Sequence, residues 1–264
     1  MTGAGRGKSS GPSRPPNPAD KQSGMTAGAP IPDVSRETSA VASAISGRQE
    51  FQAQFNVSRE TSDRLDVYGA LLERWQKTIN LVAPNTLHEL WHRHFADSAQ
   101  LFRLIPADAS RLVDLGSGAG FPGLVLAILA AELRGTGRGS PPLHVSLVES
   151  DTRKSAFLRE VARQLGIAVD IMPTRIESIP KSASVAVDVI TSRALAPLPR
   201  LLELAEPLFS PGTVALFPKG RSVEDEVAEA REAWRFSLQL EESVTGDGAR
   251  IAVIRNLERR QAGA

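Results

Sequence analysis

The segment Val113-Asp-Leu-Gly-Ser-Gly-Ala-Gly-Phe-Pro-Gly123 decides the fold of this chain. It ends an apolar strand, passes an acid at Asp114, and leads into an apolar helical run over residues 124–131. Between the acid and the helix stand the glycines Gly116, Gly118, Gly120 and Gly123. This order brings bare backbone close to a ligand at the carboxyl end of a parallel strand, where a side chain would block the ligand or forbid the turn.

The glycine spacing fits two ligand classes. The pattern G-x-G-x-x-G over 118–123 matches dinucleotide-binding enzymes, whereas D-x-G-x-G-x-G over 114–120 matches the nucleoside loop of methyltransferases that use S-adenosylmethionine (SAM). Asp114 favours SAM, because a carboxylate can hold its cationic amino-acid end but would repel a pyrophosphate. Pro122 also favours SAM, since proline removes an N–H donor that a phosphate would need. An NAD-dependent oxidoreductase stays open as the alternative.

A second acid follows the next predicted strand. The apolar stretch 143–148 ends at Glu149, at the same edge of the predicted sheet as the glycines. An acid at this point is placed to accept hydrogen bonds from the hydroxyl groups of a ribose. Because both ligand classes carry a ribose, Glu149 supports the nucleotide-binding fold without separating the two classes.

Predicted strands and helices alternate after residue 110. The strands are 111–115, 143–149, 167–172, 185–191, 213–218, 236–244 and 250–256, and the helices are 122–133, 152–166, 197–209 and 222–234. Helices between strands imply a parallel sheet with right-handed crossovers, and the last two strands should form an antiparallel hairpin. This seven-stranded, Rossmann-like α/β sheet is the arrangement of class I SAM-dependent methyltransferases. The Gly- and Pro-rich stretch 135–142 is expected to be a loop insertion.

The pattern divides the chain into three regions. Residues 1–49 are rich in Gly and Pro and lack aromatic residues, so we expect a disordered tail that cannot offset its ordering entropy. Residues 50–108 should form a small N-terminal helical subdomain, because apolar residues over 65–79 recur at helical spacing and a second helical segment is predicted from about 86 to 102. Residues 109–258 form the predicted SAM-dependent methyltransferase domain.

Composition excludes several classes of function. The net charge of +1 gives no global attraction to nucleic acid, so an RNA site must be a local patch. The absence of cysteine excludes disulfides, thiolate nucleophiles and cysteine-based zinc sites. No apolar run reaches the roughly 18 residues of a membrane span, and the N-terminal stretch lacks the apolar core of a secretory signal. We expect a cytoplasmic protein without membrane contact, acting as a monomer.

The segment Ser192-Arg-Ala-Leu-Ala-Pro197 follows the fourth predicted strand and should lie beside the cofactor cleft. Methyltransferases of exocyclic amines commonly carry an Asn/Asp-Pro-Pro-aromatic loop there, and this chain has none. We therefore expect a target atom that needs no help in losing a proton, and guanine N7 is such an atom. Catalysis would then depend on positioning, with no dedicated catalytic residue.

Cations recur near the predicted cleft. They are Arg153, Lys154, Arg193, Lys219 and Arg221. Together they can line a basic edge suited to an RNA backbone; a scattered set of surface cations is the alternative.

The segment Trp91-His-Arg-His-Phe-Ala-Asp-Ser98 is dense in polar groups within an apolar helical pattern. His94 and Asp97 are three residues apart and can interact, whereas His92 and His94 face differently on a helix, so we expect no metal site. Two interpretations stay open: a packing network, or a platform for RNA or cofactor that faces the glycine loop.

Several motifs together resemble one family. They are Arg74-Trp-Gln-Lys-Thr-Ile-Asn-Leu-Val82, Arg93-His-Phe-Ala-Asp-Ser98, the glycine segment 114–123, Ser192-Arg-Ala194 and Pro218-Lys-Gly220, in that order. Over roughly residues 50–256 the chain is similar to the bacterial small-subunit (16S) ribosomal RNA guanine-N7 methyltransferases, the RsmG or GidB family. It departs from the family in its long tail, its 135–142 insertion and Pro218.

The resemblance implies SAM-dependent methylation of N7 of guanine 527, in the 530 loop of 16S rRNA, on the RNA or on the small ribosomal subunit. By matching positions, it implies SAM contacts from Gly116 and Phe121 and a ribose contact from Glu149. It further implies that Ile176 and Glu177 flank the adenine and that Arg193 lies against the cofactor. His94, Asp97, Lys154 and Lys219 also match family positions. Alternatives are a methyltransferase of another RNA or of a small molecule, and a SAM-binding ribosome-assembly factor without enzymatic activity.

Overall fold

The computed structural model describes residues 44–135, 142–179, 186–246 and 248–260. The expectations for residues 1–43 and for most of the 135–142 insertion therefore lie outside the described residues. Regular structure begins before the predicted tail boundary at residue 49: Ile45 is buried and helix α1, Arg48–Phe55, starts at Arg48. The reason is local, since the Glu50 carboxylate accepts hydrogen bonds from the backbone N–H groups of Ser46 and Gly47.

As the sequence predicts, seven strands of the described chain form one sheet; their order is β3-β2-β1-β4-β5-β7-β6. Their bounds are β1 Arg111–Leu115, β2 His144–Val148, β3 Asp170–Met172, β4 Val189–Thr191, β5 Val214–Lys219, β6 Trp234–Glu242 and β7 Arg250–Arg259. β1 pairs in parallel with both β2 and β4, so the direction of the winding reverses at β1. A cleft opens at such a switch point, beyond the carboxyl ends of the strands.

The last two strands form the predicted antiparallel hairpin. β7 pairs with β5, with Leu216 opposite Val253, and also with β6, with Leu240 opposite Ala252. β6 begins at Trp234, two residues before the predicted start, because the indole of Trp234 is buried in the core.

The helices of the α/β part are α4 Gly123–Gly135, α5 Thr152–Leu165, α6 Leu198–Ala205 and α7 Val223–Ala233. The side chains of residues 124–130 in α4 are all buried, because this helix lies between the sheet and the N-terminal helices. α5 is capped by Asp151, whose carboxylate accepts the N–H groups of Arg153 and Lys154, and it ends at Gly166 in the left-handed conformation. Each of these helices matches its predicted place to within a few residues.

Helix α2, Arg59–Gln76, carries the predicted apolar stripe as far as Trp75, whereas Ile79, its last predicted member, lies beyond the end of the helix. The Ser58 hydroxyl caps it by accepting the N–H of Thr61 at 3.1 Å. Leu65, Tyr68 and Leu72 are fully buried, which confirms the helical spacing as a packing face.

The second predicted helix, over about 86–102, differs from the expected continuous α-helix. The chain forms a 3-10 helix over Pro84–Glu89, a π-helix over Leu90–Ala96, a single α-helical turn, α3, over Asp97–Ala99 and another 3-10 helix over Gln100–Leu104. We call residues 84–104 the irregular helical segment. Its polar side chains bond to groups far away in the sequence, and π-helical turns commonly arise where such side chains must be aimed at a site.

Two apolar clusters pack on the sheet. One joins α1, α2, α4 and α5 with strand residues such as Leu112, and the other joins α6 and α7 with residues such as Leu115. Within residues 42–264, the described residues pack as one compact unit. A domain boundary between residues 108 and 109 stays a prediction. Among the described helices, none is both long and apolar enough to span a bilayer.

Candidate active site

A cavity of about 1240 Å³ opens at the carboxyl ends of β1, β2, β4 and β5. Its wall includes the glycine loop at Gly116, the carboxylate of Glu149, the 3-10 turn at Ile176, the loop at Arg193 and the end of β5 at Lys219. The irregular helical segment closes one side. Residues that the sequence predicts for cofactor binding therefore meet at the switch point of the sheet, as expected for a nucleotide site.

The glycine loop has a backbone that other residues adopt only under strain. Gly116, Gly118 and Gly120 have φ angles of +66°, +56° and +95°. Space is short as well: a Cβ atom at Gly116 would lie 2.6 Å from Leu195 Cδ1, and one at Gly120 would lie 2.7 Å from Tyr68 Oη. At Gly116 and Gly118, which line the cavity, the missing side chains leave bare backbone on its wall.

Asp114 does not occupy its predicted place beside the ligand. Its side chain is fully buried and does not line the cavity. One oxygen accepts the Thr191 hydroxyl at 2.9 Å, and the other accepts the backbone N–H of Gly123 at 3.3 Å. Burial raises the pKa of Asp114 to about 6 against the opposing effect of these hydrogen bonds. The acid therefore holds the start of α4, and its predicted contact with the cationic end of SAM would require this side chain to move.

Glu149 lies where the sequence predicts. Its carboxylate accepts the backbone N–H groups of Gly118 at 2.8 Å and of Asp151 at 2.7 Å. It is nearly buried but lines the cavity. A carboxylate has about four lone-pair sites, so two of them can still accept hydrogen bonds from a diol.

Ile176 and Glu177 line the cavity from a short 3-10 turn, Ile176–Ser178, beyond β3. Ile176 offers an apolar surface, while the carboxylate of Glu177 forms an exposed ion pair with Arg200 at 2.8 Å. The adenine contact that the resemblance implies for both residues stays a prediction.

Arg193 connects the loop after β4 with the irregular helical segment. Its Nη1 donates to the carbonyl oxygen of Arg93 at 2.9 Å and to Asp97 Oδ2 at 3.2 Å. Its Nη2 lies 2.8 Å from His94 Nδ1, and the guanidinium carbon lies 4.8 Å from the centre of the Phe121 ring. The side chain is 17% exposed, which leaves part of this cation facing the cavity.

His94 is a buried member of this group that still lines the cavity, and its candidate contact with RNA stays a prediction. Its second nitrogen, Nε2, lies 2.8 Å from Thr86 Oγ1, and its ring stacks on Phe121 with centres 4.9 Å apart. Burial lowers the pKa of His94 to about 3, with a further contribution from neighbouring guanidinium groups. The imidazole is therefore neutral at physiological pH, and both nitrogens are engaged within the protein.

Asp97 ties the irregular helical segment to the turn between β6 and β7. Its Oδ1 accepts hydrogen bonds from Thr245 Oγ1 at 2.9 Å and from Gln100 Nε2 at 3.1 Å. Gln100 in turn accepts the backbone N–H of Val244 at 2.8 Å. Together with its ion pair to Arg193, Asp97 makes one connected polar wall.

The predicted basic edge forms only in part. Lys154 lines the cavity, whereas Arg153 and Arg221 do not. Lys219 also lines it, but its ammonium donates to Glu226 at 2.8 Å and to the Ala196 carbonyl at 2.9 Å, and its side chain is 9% exposed. Lys219 therefore supports the loop before α6, and its candidate contact with RNA stays a prediction.

The sequence patterns assign no individual role in the site to two residues that contribute to it, Tyr68 and Leu195. Tyr68 in α2 donates a hydrogen bond from its buried hydroxyl to the carbonyl oxygen of Ala119 and stacks on Phe121. Ala194 adopts a positive φ of 53° and presents Leu195, a large apolar side chain that is 37% exposed, over Gly116. Tyr68 is the single tyrosine of the chain, which is a weak sequence signal for its role.

The sheet order, the glycine loop at the switch point and the acid after β2 define the class I SAM-dependent methyltransferase fold. A solved structure from Listeria monocytogenes, described as a putative class I SAM-dependent methyltransferase, shares this fold with a TM-score of 0.51 and 13% identity. The match covers 80% of this chain and 71% of that chain.

Residues 61–254 match the model of the GidB family, described as rRNA small subunit methyltransferase G. Two curated relatives carry the name ribosomal RNA small subunit methyltransferase G. The one from Rhodospirillum centenum is 52% identical, over 72% of this chain and 82% of its own length. The one from Parvibaculum lavamentivorans is 49% identical, over 79% of this chain and 89% of its own length. The chain belongs to the GidB family, and this membership decides for the methyltransferase and against the dinucleotide enzyme.

Proposed function

We propose that this protein transfers a methyl group from SAM to N7 of guanine 527, in the 530 loop of 16S rRNA. The family membership supports an enzyme of small-subunit ribosomal RNA. The observation that carries the finer assignment is the chemistry of the cavity wall, which offers positioned donors and, among the described residues, no poised general base.

The chemistry of the cavity wall suits SAM. Gly116, Gly118 and Glu149 line the cavity. In this proposal the bare backbone of the two glycines faces the methionine part, and Glu149 accepts hydrogen bonds from the ribose hydroxyl groups. Ile176 offers an apolar surface for the adenine at the far end. When bound, SAM supplies an electrophilic methyl group on a sulfonium centre. The residues of the chain bind and orient that group and exclude water from it.

The acids that line the cavity in the described part of the chain are all engaged: Asp97, Glu149, Glu177 and Glu226 each accept a hydrogen bond or form an ion pair. His94 is neutral but a weak base, because its pKa lies at about 3. Guanine N7 suits such a wall. Its lone pair forms the new N–C bond while the electrons of the S–C bond pass to sulfur, so no proton has to be removed. Rate acceleration then rests on alignment.

The RNA partner is supported by local charge, since the net charge is near zero. Lys154 lines the cavity, and no acid of the described residues lies within ion-pair distance of its ammonium. Arg93 and Arg175 add exposed guanidinium groups to the rim. A guanine must leave its stack before N7 can reach the methyl group, so we propose a single-stranded loop as substrate. We further propose that the protein acts as a monomer in the cytoplasm.

The test is transfer of labelled methyl from SAM to small ribosomal subunits from a strain that lacks this gene, followed by mapping of the modified nucleotide. We expect label at N7 of guanine 527 alone. Label on another nucleotide would point to a different RNA site, and an unlabelled subunit would overturn the ribosomal assignment. Retained SAM binding without transfer to any RNA would favour a small-molecule substrate or a non-enzymatic assembly factor.

A further inference from the structure

The position of Arg193 is imposed by groups about a hundred residues away in sequence. Both hydrogens of its Nη1 are directed at the Arg93 carbonyl and at Asp97, and one hydrogen of its Nη2 is directed at His94 Nδ1. Among the described residues, no partner accepts the remaining Nη2 hydrogen or the Nε–H. Since Arg193 lines the cavity, these two N–H groups are what it can offer to a bound ligand.

The hydrogen bonds around His94 determine its tautomer. A guanidinium has donors and no acceptor, so His94 Nδ1 must accept from Arg193. The neutral ring then carries its proton on Nε2 and donates it to Thr86 Oγ1, at 2.8 Å. Thr86 can accept that proton because its own hydroxyl donates to the Ala83 carbonyl at 2.7 Å. The direction of every donor in this chain of hydrogen bonds is thereby fixed.

We propose that His94 is a positioning residue of the methyltransferase site, which acts through its Nδ1 acceptor to hold the Arg193 guanidinium against Phe121 with two N–H groups free for the carboxylate of the bound cofactor. The inference rests on the proposed function, because it takes SAM as the ligand. It assigns to His94 neither a contact with substrate nor a proton transfer.

Two conservative variants separate this role from simple packing. In His94→Asn the amide oxygen can stand where Nδ1 stands and still accept from Arg193. In His94→Gln the amide reaches the position of Nε2 and keeps the contact with Thr86, but no acceptor faces Arg193. Both variants lose the ring that stacks on Phe121, so that loss cancels in the comparison.

Calorimetric titration of SAM into wild type and both variants is the test. We expect affinity to fall about tenfold in His94→Gln and no more than about threefold in His94→Asn, in keeping with one charge-assisted hydrogen bond. In an Arg193→Ala background the two variants should bind SAM equally. The proposal would be overturned if both variants lost the same SAM affinity. It would also be overturned if the difference in affinity between the two variants were the same in the Arg193→Ala background as in the presence of Arg193. If wild type fails to bind SAM, the proposed function fails first.

A ligand-free readout keeps the inference independent of activity. A long-range proton–nitrogen correlation spectrum of the wild-type protein at neutral pH should show His94 protonated on Nε2 alone. Thermal unfolding of each variant reports whether it is folded. A proton on Nδ1, or an imidazolium ring, would contradict the proposed direction of the hydrogen bonds.

Discussion

The glycine loop, residues 114–123, and the irregular helical segment, residues 84–104, form facing walls of the same cavity by opposite means. The loop lacks side chains at its glycines, so that Gly116 and Gly118 leave bare backbone on the cavity wall. The irregular helical segment instead contributes side chains: His94 and Asp97 form hydrogen bonds with the Arg193 guanidinium. Any side-chain atom added to the glycine loop should therefore impair it. The irregular helical segment should be impaired when a particular hydrogen-bond acceptor is removed.

The largest effect is expected at Gly120. Its φ is +95°, and an added Cβ would lie 2.7 Å from Tyr68 Oη and closer still to Leu124. Gly212 has the same φ of +95° with nothing within 4 Å, so it is a matched control for strain alone. We expect Gly212→Ala to lower the free energy of unfolding by about 1–2 kcal/mol and Gly120→Ala to lower it by about 4 kcal/mol or more. Urea unfolding measures both, and similar losses would show that crowding does not shape the loop.

Gly116 should separate ligand binding from stability. Its φ of +66° resembles the +61° of Gly166, where nothing lies within 4 Å. A Cβ at Gly116 meets the end of the exposed Leu195 side chain, which can move. The same Cβ also takes up space at the wall of the cavity. We expect both alanine variants to lose about 1–2 kcal/mol of stability and only Gly116→Ala to lose SAM affinity, by about a hundredfold. Calorimetry with SAM checks this, and unchanged affinity in Gly116→Ala would remove the loop from the binding site.

Asp114, beneath the glycine loop, should make the free energy of unfolding depend on pH. The folded pKa of Asp114 is raised to about 6 from 3.8, so its contribution is full below about pH 3.8 and is lost as pH rises through about 6. Asp114→Asn can accept from Gly123 N–H and donate to Thr191. The free energy of unfolding of this variant should therefore rise relative to wild type by about 2 kcal/mol between about pH 4.5 and pH 8. Urea titrations at both pH values give the difference, and a constant difference would contradict the raised pKa.

The irregular helical segment should become less stable when Asp97 loses one hydrogen-bond acceptor. Asp97→Asn turns an amide N–H₂ toward Arg193, which has only donors, so we expect a loss of about 1.5 kcal/mol in the free energy of unfolding. Glu89→Gln is the control, because the ion pair between Glu89 and Arg93 is exposed on both sides and should contribute less than about 0.5 kcal/mol. Chemical unfolding of the two variants is the measurement, and equal losses would mean that burial of the pair does not matter.

The smallest effect concerns the outer rim. If Lys154 contacts a phosphate, Lys154→Gln should weaken RNA binding several-fold and lower the slope of log affinity against log salt by about 1. Arg153→Gln is a neighbour with a highly exposed side chain that does not line the cavity, and it should leave the slope unchanged. Filter binding over a salt series distinguishes the two, and identical slopes would place the RNA elsewhere.

The sequence predicts the loop wall well, because glycine at a positive φ and strand–helix alternation are local properties. Gly116 and Glu149 could be placed in the site, and the terminal hairpin could be recognised, from short stretches alone. The orientation of the Asp114 side chain could not be predicted from a short stretch, since it depends on a hydrogen bond with Thr191 in a neighbouring strand. The same holds for Lys219, which the pattern offers to RNA but whose ammonium is held by Glu226.

The helical wall was harder to predict for a similar reason. Apolar spacing over 86–102 indicates a helix but not a π-helix, whose geometry follows from contacts such as His94 with Arg193, 99 positions apart. Tyr68 packs beneath the glycine loop and donates a hydrogen bond to the carbonyl oxygen of Ala119, 51 positions away. Such side-chain networks become visible only when the sheet has brought the segments together.

A crystal structure of the protein with S-adenosylhomocysteine tests most directly whether both walls meet on one cofactor. We predict the ribose hydroxyl groups against Glu149, the amino-acid end along Gly116, and its carboxylate at the free N–H groups of Arg193. Asp114 should stay beneath the loop without touching the ligand. A ligand bound away from the glycine loop, or one that leaves Arg193 without contact, would contradict the account.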